Sequence, residues 1–235
     1  MRGVLAFFSR FVVLSCGVLC LASVSCADSE PDIVSATGAM VFDYATDESL
    51  PASRLAVFVQ TESDVRRVSS LLVVHEETGY RWYVTAPDMI KSGDKQWACA
   101  PHLLPPENGR IPAGEYALWY TDAAGEEAES AFTVAYAEKL FGTKADGVTA
   151  VMTGATEDSL ALYDKNDVLI YFGKRKNGWN ENADILRDYG TAYYLRHCIA
   201  ADGNRVVCLL PAEYLVAQDE EPDGADDTNE AASDD

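Results

Sequence analysis

The sequence predicts a mainly β protein, a sandwich of strands followed by a smaller β-rich α+β unit. Three observations carry that prediction. Apolar residues alternate with the two-residue period of strands through 39–136 and again from 159 onward. Clusters of Gly, Asp, Asn and Pro interrupt these runs at intervals suited to hairpins and sandwich loops. Helical spacing is confined to one short segment, 182–189, where Ile185 and Leu186 would face a sheet. With 235 residues, 48% of them hydrophobic, the chain has enough material for one large or two small cores.

The first 25 residues read as an export signal. A basic start ending at Arg10 precedes twelve apolar or small residues, 11–22, and then Ser23-Val24-Ser25-Cys26. That run is too short for a spanning helix, which needs about 20 residues. The abrupt change to Asp28-Ser29-Glu30-Pro31-Asp32 marks a processing point.

Leu21-Ala22-Ser23-Val24-Ser25-Cys26 resembles the bacterial lipoprotein signal, in which a small residue precedes the cysteine that is acylated. Ser23 stands where that signal usually carries Leu, so the match is closer to the relaxed spirochaetal form than to the enterobacterial one. The resemblance implies lipidation at Cys26 and a membrane-attached product in the bacterial envelope, on its periplasmic or surface side. Cleavage after Ala27, releasing a soluble product, is the competing route, and Cys16 is a third candidate with a very short apolar run before it.

Removal of the signal takes away Arg2 and Arg10 and no acid, so the formal charge of -20 becomes -22, with 16 bases against 38 acids. Such a surface repels nucleic-acid backbones and anionic headgroups. Membrane attachment would therefore come from the lipid, and nucleic acid is not an expected partner.

Residues 26–35 are polar and read as a tether. Strands are expected at 39–44, 54–61, 70–75, 80–85, 115–121 and 130–136. Glu76-Glu77-Thr78-Gly79 would turn the first clear hairpin and Asp122-Ala123-Ala124-Gly125-Glu126 the second. Tyr116, Leu118 and Tyr120 share one face of their strand, and Phe132, Val134 and Tyr136 one face of theirs.

The passage Ile111-Pro112-Ala113-Gly114-Glu115-Tyr116-Ala117-Leu118, with Asp122-Ala123-Ala124-Gly125 and Phe132-Thr133-Val134 after it, resembles the late strands of bacterial immunoglobulin-like or fibronectin type III-like modules. In those modules a Pro-x-Gly-x-Tyr turn leads into a strand. The resemblance implies an immunoglobulin-like sandwich over 36–137. Cys99 is the one cysteine in that range, so the inter-sheet disulfide of antibody domains is absent, and Trp82 or Trp97 could fill its place.

A boundary is expected near 137–147, where periodicity fades. Beyond it, 148–218 carries strands at 159–163, 168–173, 191–200 and 205–210, either as a separate α+β unit or as extra strands on the first sheet; two units are favoured. Residues 219–235 hold nine acids and no base, a composition that cannot order itself and reads as a solvated, disordered tail.

No motif assigns catalysis, a metal or a cofactor. His75, His102 and His197 stand outside any nucleophile-elbow or zinc-ligand spacing. Asp164-Lys165-Asn166-Asp167 begins like a calcium loop, but Leu169 occupies the glycine position and Arg175 the bidentate-glutamate position, so a β-turn is expected. Asp122, Glu126, Glu127 and Glu129 read as an acidic solvent face.

Cys198 and Cys208 flank a strand-turn-strand sequence. An odd-length loop around Gly203 would place them opposite each other for a disulfide, whereas a two-residue turn would not. Lys174, Arg175, Lys176 and Trp179 form a basic, aromatic segment in an acidic protein and are the expected contact site for a protein or glycan partner. The bland alternative has the bases paired with acids and Trp179 capping the second core. The sequence thus favours a lipid-anchored envelope protein with a binding or structural role, and no catalysis. An exported enzyme acting on envelope components would need His102 or Cys99 to meet acids distant in sequence.

Overall fold

The computed structural model describes residues 31–62, 67–107, 109–152 and 156–215. The expected signal, Cys26 and the acidic tail lie outside the described residues.

Eight strands build a sandwich: β1 (Ile33–Asp43), β2 (Ala52–Thr61), β3 (Val68–His75), β4 (Arg81–Thr85), β5 (Asp88–Ser92), β6 (Lys95–Leu103), β7 (Gly114–Asp122) and β8 (Glu127–Val134). One layer runs β1-β2-β6-β5 and the other β4-β3-β7-β8. This is the strand order of an immunoglobulin sandwich, ABED over CFG, with an added strand beside C. Between the layers lie Met40, Phe42, Leu55, Val57, Leu71, Val73, Leu118 and Tyr120, all fully buried. Each fully buried aliphatic side chain of this size contributes about 1.5–3 kcal/mol.

The expected first hairpin and second hairpin are both present, with Gly79 at φ +68° and Gly125 at φ +88° in their turns. In the second, Asp122 Oδ1 accepts from the Ala124 and Glu126 N–H groups at 2.7 and 3.0 Å, and Asp122 pairs with Arg67 at 3.4 Å. Asp122 is therefore a buried turn residue rather than part of an acidic solvent face.

Three features differ from expectation. First, β1 starts at Ile33, inside the expected tether, and Ile33 and Ser35 already pair with Thr61 and Gln60. Within β1, Gly38 lies against the Phe132 ring of the opposite layer, where a Cβ would collide with Cε2.

Second, β5 and β6 are not among the expected strands. They are polar, with Lys91, Lys95 and Gln96 on an edge hairpin, and Pro101 falls where β6 shifts register against β2 between Leu55 and Val57. A proline is tolerated at such a bulge because one ladder bond is already missing.

Third, the segment expected as a boundary packs closely. Two 3-10 turns, Glu138–Gly142 and Ala145–Gly147, and the short helix Val148–Val151 bring Leu140, Ala145 and Val148 into the main core. Phe42, Tyr136 and Phe141 meet edge-on there, with centroids 5.1–5.9 Å apart.

The remaining strands, β9 (Thr156–Tyr163), β10 (Leu169–Gly173), β11 (Tyr194–Ala201) and β12 (Val206–Tyr214), extend the first layer into one sheet of order β10-β9-β11-β12-β1-β2-β6-β5. The last strand runs parallel to the first, with Met40 opposite Val206 and Phe42 opposite Cys208. Of the two arrangements left open by the sequence, the strands thus continue the first sheet. They still gather a core of their own, in which Trp179 and the helix Asn182–Asp188, through Ile185, cover Leu160, Leu162 and Leu195.

The place of an inter-sheet disulfide is filled by neither Trp82 nor Trp97, both only partly buried. Trp82 sits at the core margin and donates its Nε1 to the Leu104 carbonyl at 2.8 Å. Tyr116 stacked on Phe132, 5.3 Å between centroids and 6° from parallel, fills the centre.

Candidate functional site

The segment 174–180 leaves the edge strand β10 and returns toward the helix Asn182–Asp188. Its shape follows from local hydrogen bonds. The Trp179 N–H donates to the Lys176 carbonyl at 3.1 Å, closing a turn that Gly178 completes at φ +97°. Arg175 Nε reaches across that turn to the Trp179 carbonyl at 2.8 Å, and the Tyr171 hydroxyl donates to the Lys174 carbonyl at 2.6 Å. The helix then starts in a reciprocal capping box between Glu181 and Asp184. Backbone N–H groups of Glu181 and Asn180 donate to Asp184 and hold its carboxyl below the usual carboxylate range.

Trp179 is buried, 3% exposed, and donates its Nε1 to Asp188 Oδ2 at 2.8 Å. It belongs to the second core, as in the bland alternative, and is not a free anchor. The bases behave differently from that alternative. Among the described residues Lys174 and Arg175 make no ion pair, and both are exposed.

Lys176 lies across three rings. Its Nζ lies 5.2 Å from the Tyr171 centroid, 5.1 Å from Trp179 and 4.5 Å from Tyr189, and donates to the Tyr189 hydroxyl at 3.0 Å. The hydrogen bond to Tyr189 raises its pKa above the ordinary value; desolvation opposes the rise, while Tyr189, Asp188 and Tyr171 add to it.

The structure therefore joins Lys176 and Trp179, and leaves Lys174 and Arg175 exposed beside them in the turn. Sequence reasoning missed Tyr171 and Tyr189. Their signal was present as aromatic residues at the end of a strand and at the C-cap of the helix, but neither stands near Trp179 in sequence.

The expected Cys198–Cys208 disulfide is not formed, and both thiols are free. The turn 202–205 has four residues, so Cys198 pairs with Leu209 and Ile199 with Cys208. That register puts the two side chains on opposite faces of the sheet.

The histidines and Cys99 are equally separate. His75 is buried: its Nδ1 accepts from the Thr78 N–H at 3.2 Å, which leaves Nε2 to donate to the Ala113 carbonyl at 3.1 Å. His197 lies between Asp158, at 3.2 Å, and Glu213, at 3.7 Å. His102 is exposed, while Cys99 is buried, its thiol pushed up to about 11 by burial and then by Asp88. A surface cleft of about 190 Å³, lined by Asp47, Ala145, Asp146, Leu210, Pro211, Ala212 and Glu213, contains neither.

Asp164 closes a turn, its Oδ1 accepting from Asn166 and Val168 N–H groups at 2.8 and 2.9 Å. No protein-family model matches this chain, and no curated protein matches it either.

Proposed function

We propose that this protein is a lipid-anchored binding module of the bacterial cell envelope, attached through an acyl chain on Cys26 and meeting a protein or glycan partner through the segment 174–180. The observation that carries the binding half is the pair Lys174 and Arg175, exposed and, among the described residues, without ion pairs, on a turn braced by Trp179 and Asp188. Exposed bases in a chain of formal charge -20 offer a local positive site to an acidic partner, and a braced turn loses little entropy on binding. The sequence 21–26 supports the anchor, because a surface this acidic has no affinity of its own for anionic membrane.

Fatty-acid labelling tests the anchor: label should enter the wild-type protein and be lost from Cys26→Ser, and label retained in the variant overturns that half. Pull-down from envelope extracts tests the rest. Lys174→Glu with Arg175→Glu should abolish recovery of the partner, whereas undiminished recovery removes this segment as the contact site.

A further inference from the structure

We propose that Tyr171, Trp179 and Tyr189 form an aromatic cage for a quaternary ammonium group, with Lys176 as its built-in, displaceable occupant. This deepens the binding role proposed for the same segment and rests on it for biological purpose, though not for its geometry.

Three rings pack against one another and share one cation on their outer side. Tyr171 and Trp179 stand 5.1 Å apart at 68°, Trp179 and Tyr189 5.9 Å apart at 83°, and Tyr171 and Tyr189 5.5 Å apart at 51°. Steeply inclined walls present several π faces to a single cation, and a cation within about 6 Å of a ring centroid is attracted by it. The Lys176 ammonium meets that condition with all three rings.

The walls come from three different places, the edge strand β10, the turn and the C-cap of the helix Asn182–Asp188, and each is fixed by packing in the second core. The box is therefore built by the fold, and does not depend on Lys176 to assemble it.

Lys176 itself is exposed and hydrogen-bonded to one side chain, Tyr189. Its ammonium prefers water more strongly than a quaternary ammonium does, because the latter has no N–H left to donate. A trimethylammonium group gives up less hydration on entering the rings and meets more of their surface. Asp188, bound to Trp179, and the acidity of the whole chain favour a cation there. Lys174 and Arg175, exposed in the same turn, suit an anion attached to the same ligand, as in phosphocholine.

The test titrates full-length protein with choline, with phosphocholine and with 3,3-dimethyl-1-butanol, the neutral isostere of choline, following the Trp179 indole N–H by NMR. Choline should bind, the neutral isostere should bind at least about tenfold more weakly, and Lys176→Ala should bind choline at least about fivefold more tightly by removing the competitor. Tyr189→Leu should abolish choline binding, with the Trp179 resonance reporting that the fold persists. Phosphocholine should bind more tightly than choline, and that preference should disappear in Lys174→Glu with Arg175→Glu.

Equal binding of choline and its isostere, or no gain in Lys176→Ala, overturns the proposal. Should Lys176→Ala fail to fold, wild-type protein serves: saturating choline must shift the Tyr189 ring resonances, and no shift overturns the cage. Choline binding lost in Tyr189→Leu supports the cage even where pull-down finds no partner, so the two readings fail separately.

Discussion

The Tyr116 hydroxyl, at the start of β7, donates to the Pro112 carbonyl four residues upstream at 2.6 Å. This is the tyrosine corner of immunoglobulin-like sandwiches, at the same crossing between the layers. The ring is fully buried, stacks on Phe132 and touches His75, whose Nε2 holds the neighbouring Ala113 carbonyl. Tyr116→Phe keeps the ring and orphans the carbonyl. It should lower stability by about 1 kcal/mol in urea denaturation, with the m-value unchanged.

Gly38 should tolerate no side chain. A methyl group would collide with Phe132 Cε2 and Cδ2, and the ring is held in place by its stacking on Tyr116. Overpacking at such a site costs about 1–3 kcal/mol. Gly38→Ala should show that loss in a thermal melt, and Phe132→Leu in the same chain should recover part of it by making room. The recovery separates a clash from a simple change in strand propensity.

Legibility in the sequence followed how local each cause was. The Pro112-Ala113-Gly114-Glu115-Tyr116 turn is local chemistry, and both it and the following strand were readable. The start of β1 was not, because Ile33, Val34 and Ser35 follow a polar stretch and show as strand only through their pairing with β2, at Thr61 and Gln60. The hairpin β5-β6 escaped notice because an edge hairpin rich in Lys and Gln lacks the apolar alternation that marks strands. At the candidate site the basic triad and Trp179 were visible as a composition anomaly. Tyr171 and Tyr189 were not, since a cage assembled from a strand, a turn and a helix end is tertiary information.

Asp43 ties the sandwich to the strands added at its side. Its two oxygens receive Arg54 at 3.1 Å and Arg196 at 2.7 Å. Arg196 also donates to the Leu209, Leu210 and Tyr44 carbonyls, next to the register shift between Arg196 and Cys198 where regular ladder bonds are interrupted. Removing the carboxylate leaves two half-buried guanidinium groups without their counterion. Asp43→Asn should therefore cost about 1–2 kcal/mol in urea denaturation, a loss damped by partial solvent access. Amide exchange should speed up in β12 and β11 before it does in β7.

The three described thiols predict how stability depends on pH. Burial pushes Cys99 to about 11 and Cys208 to about 12 from an ordinary 9.0, and raises Cys198 as well. Tyr44 and Tyr136 are likewise raised to about 12 by burial, with smaller contributions from neighbouring groups. In every case the folded protein keeps a proton that the unfolded chain releases near its ordinary pKa. The associated stability is fully present below about pH 9 and is lost as pH rises toward 12. Urea midpoints should be level from pH 7 to about 8.5 and fall steeply by pH 10.5. At pH 8 a thiol reagent should leave Cys99, Cys198 and Cys208 unlabelled until urea unfolds the chain. A Cys198–Cys208 linked peptide in a non-reducing digest would contradict the strand register, because in that register the two sulfurs point to opposite faces of the sheet.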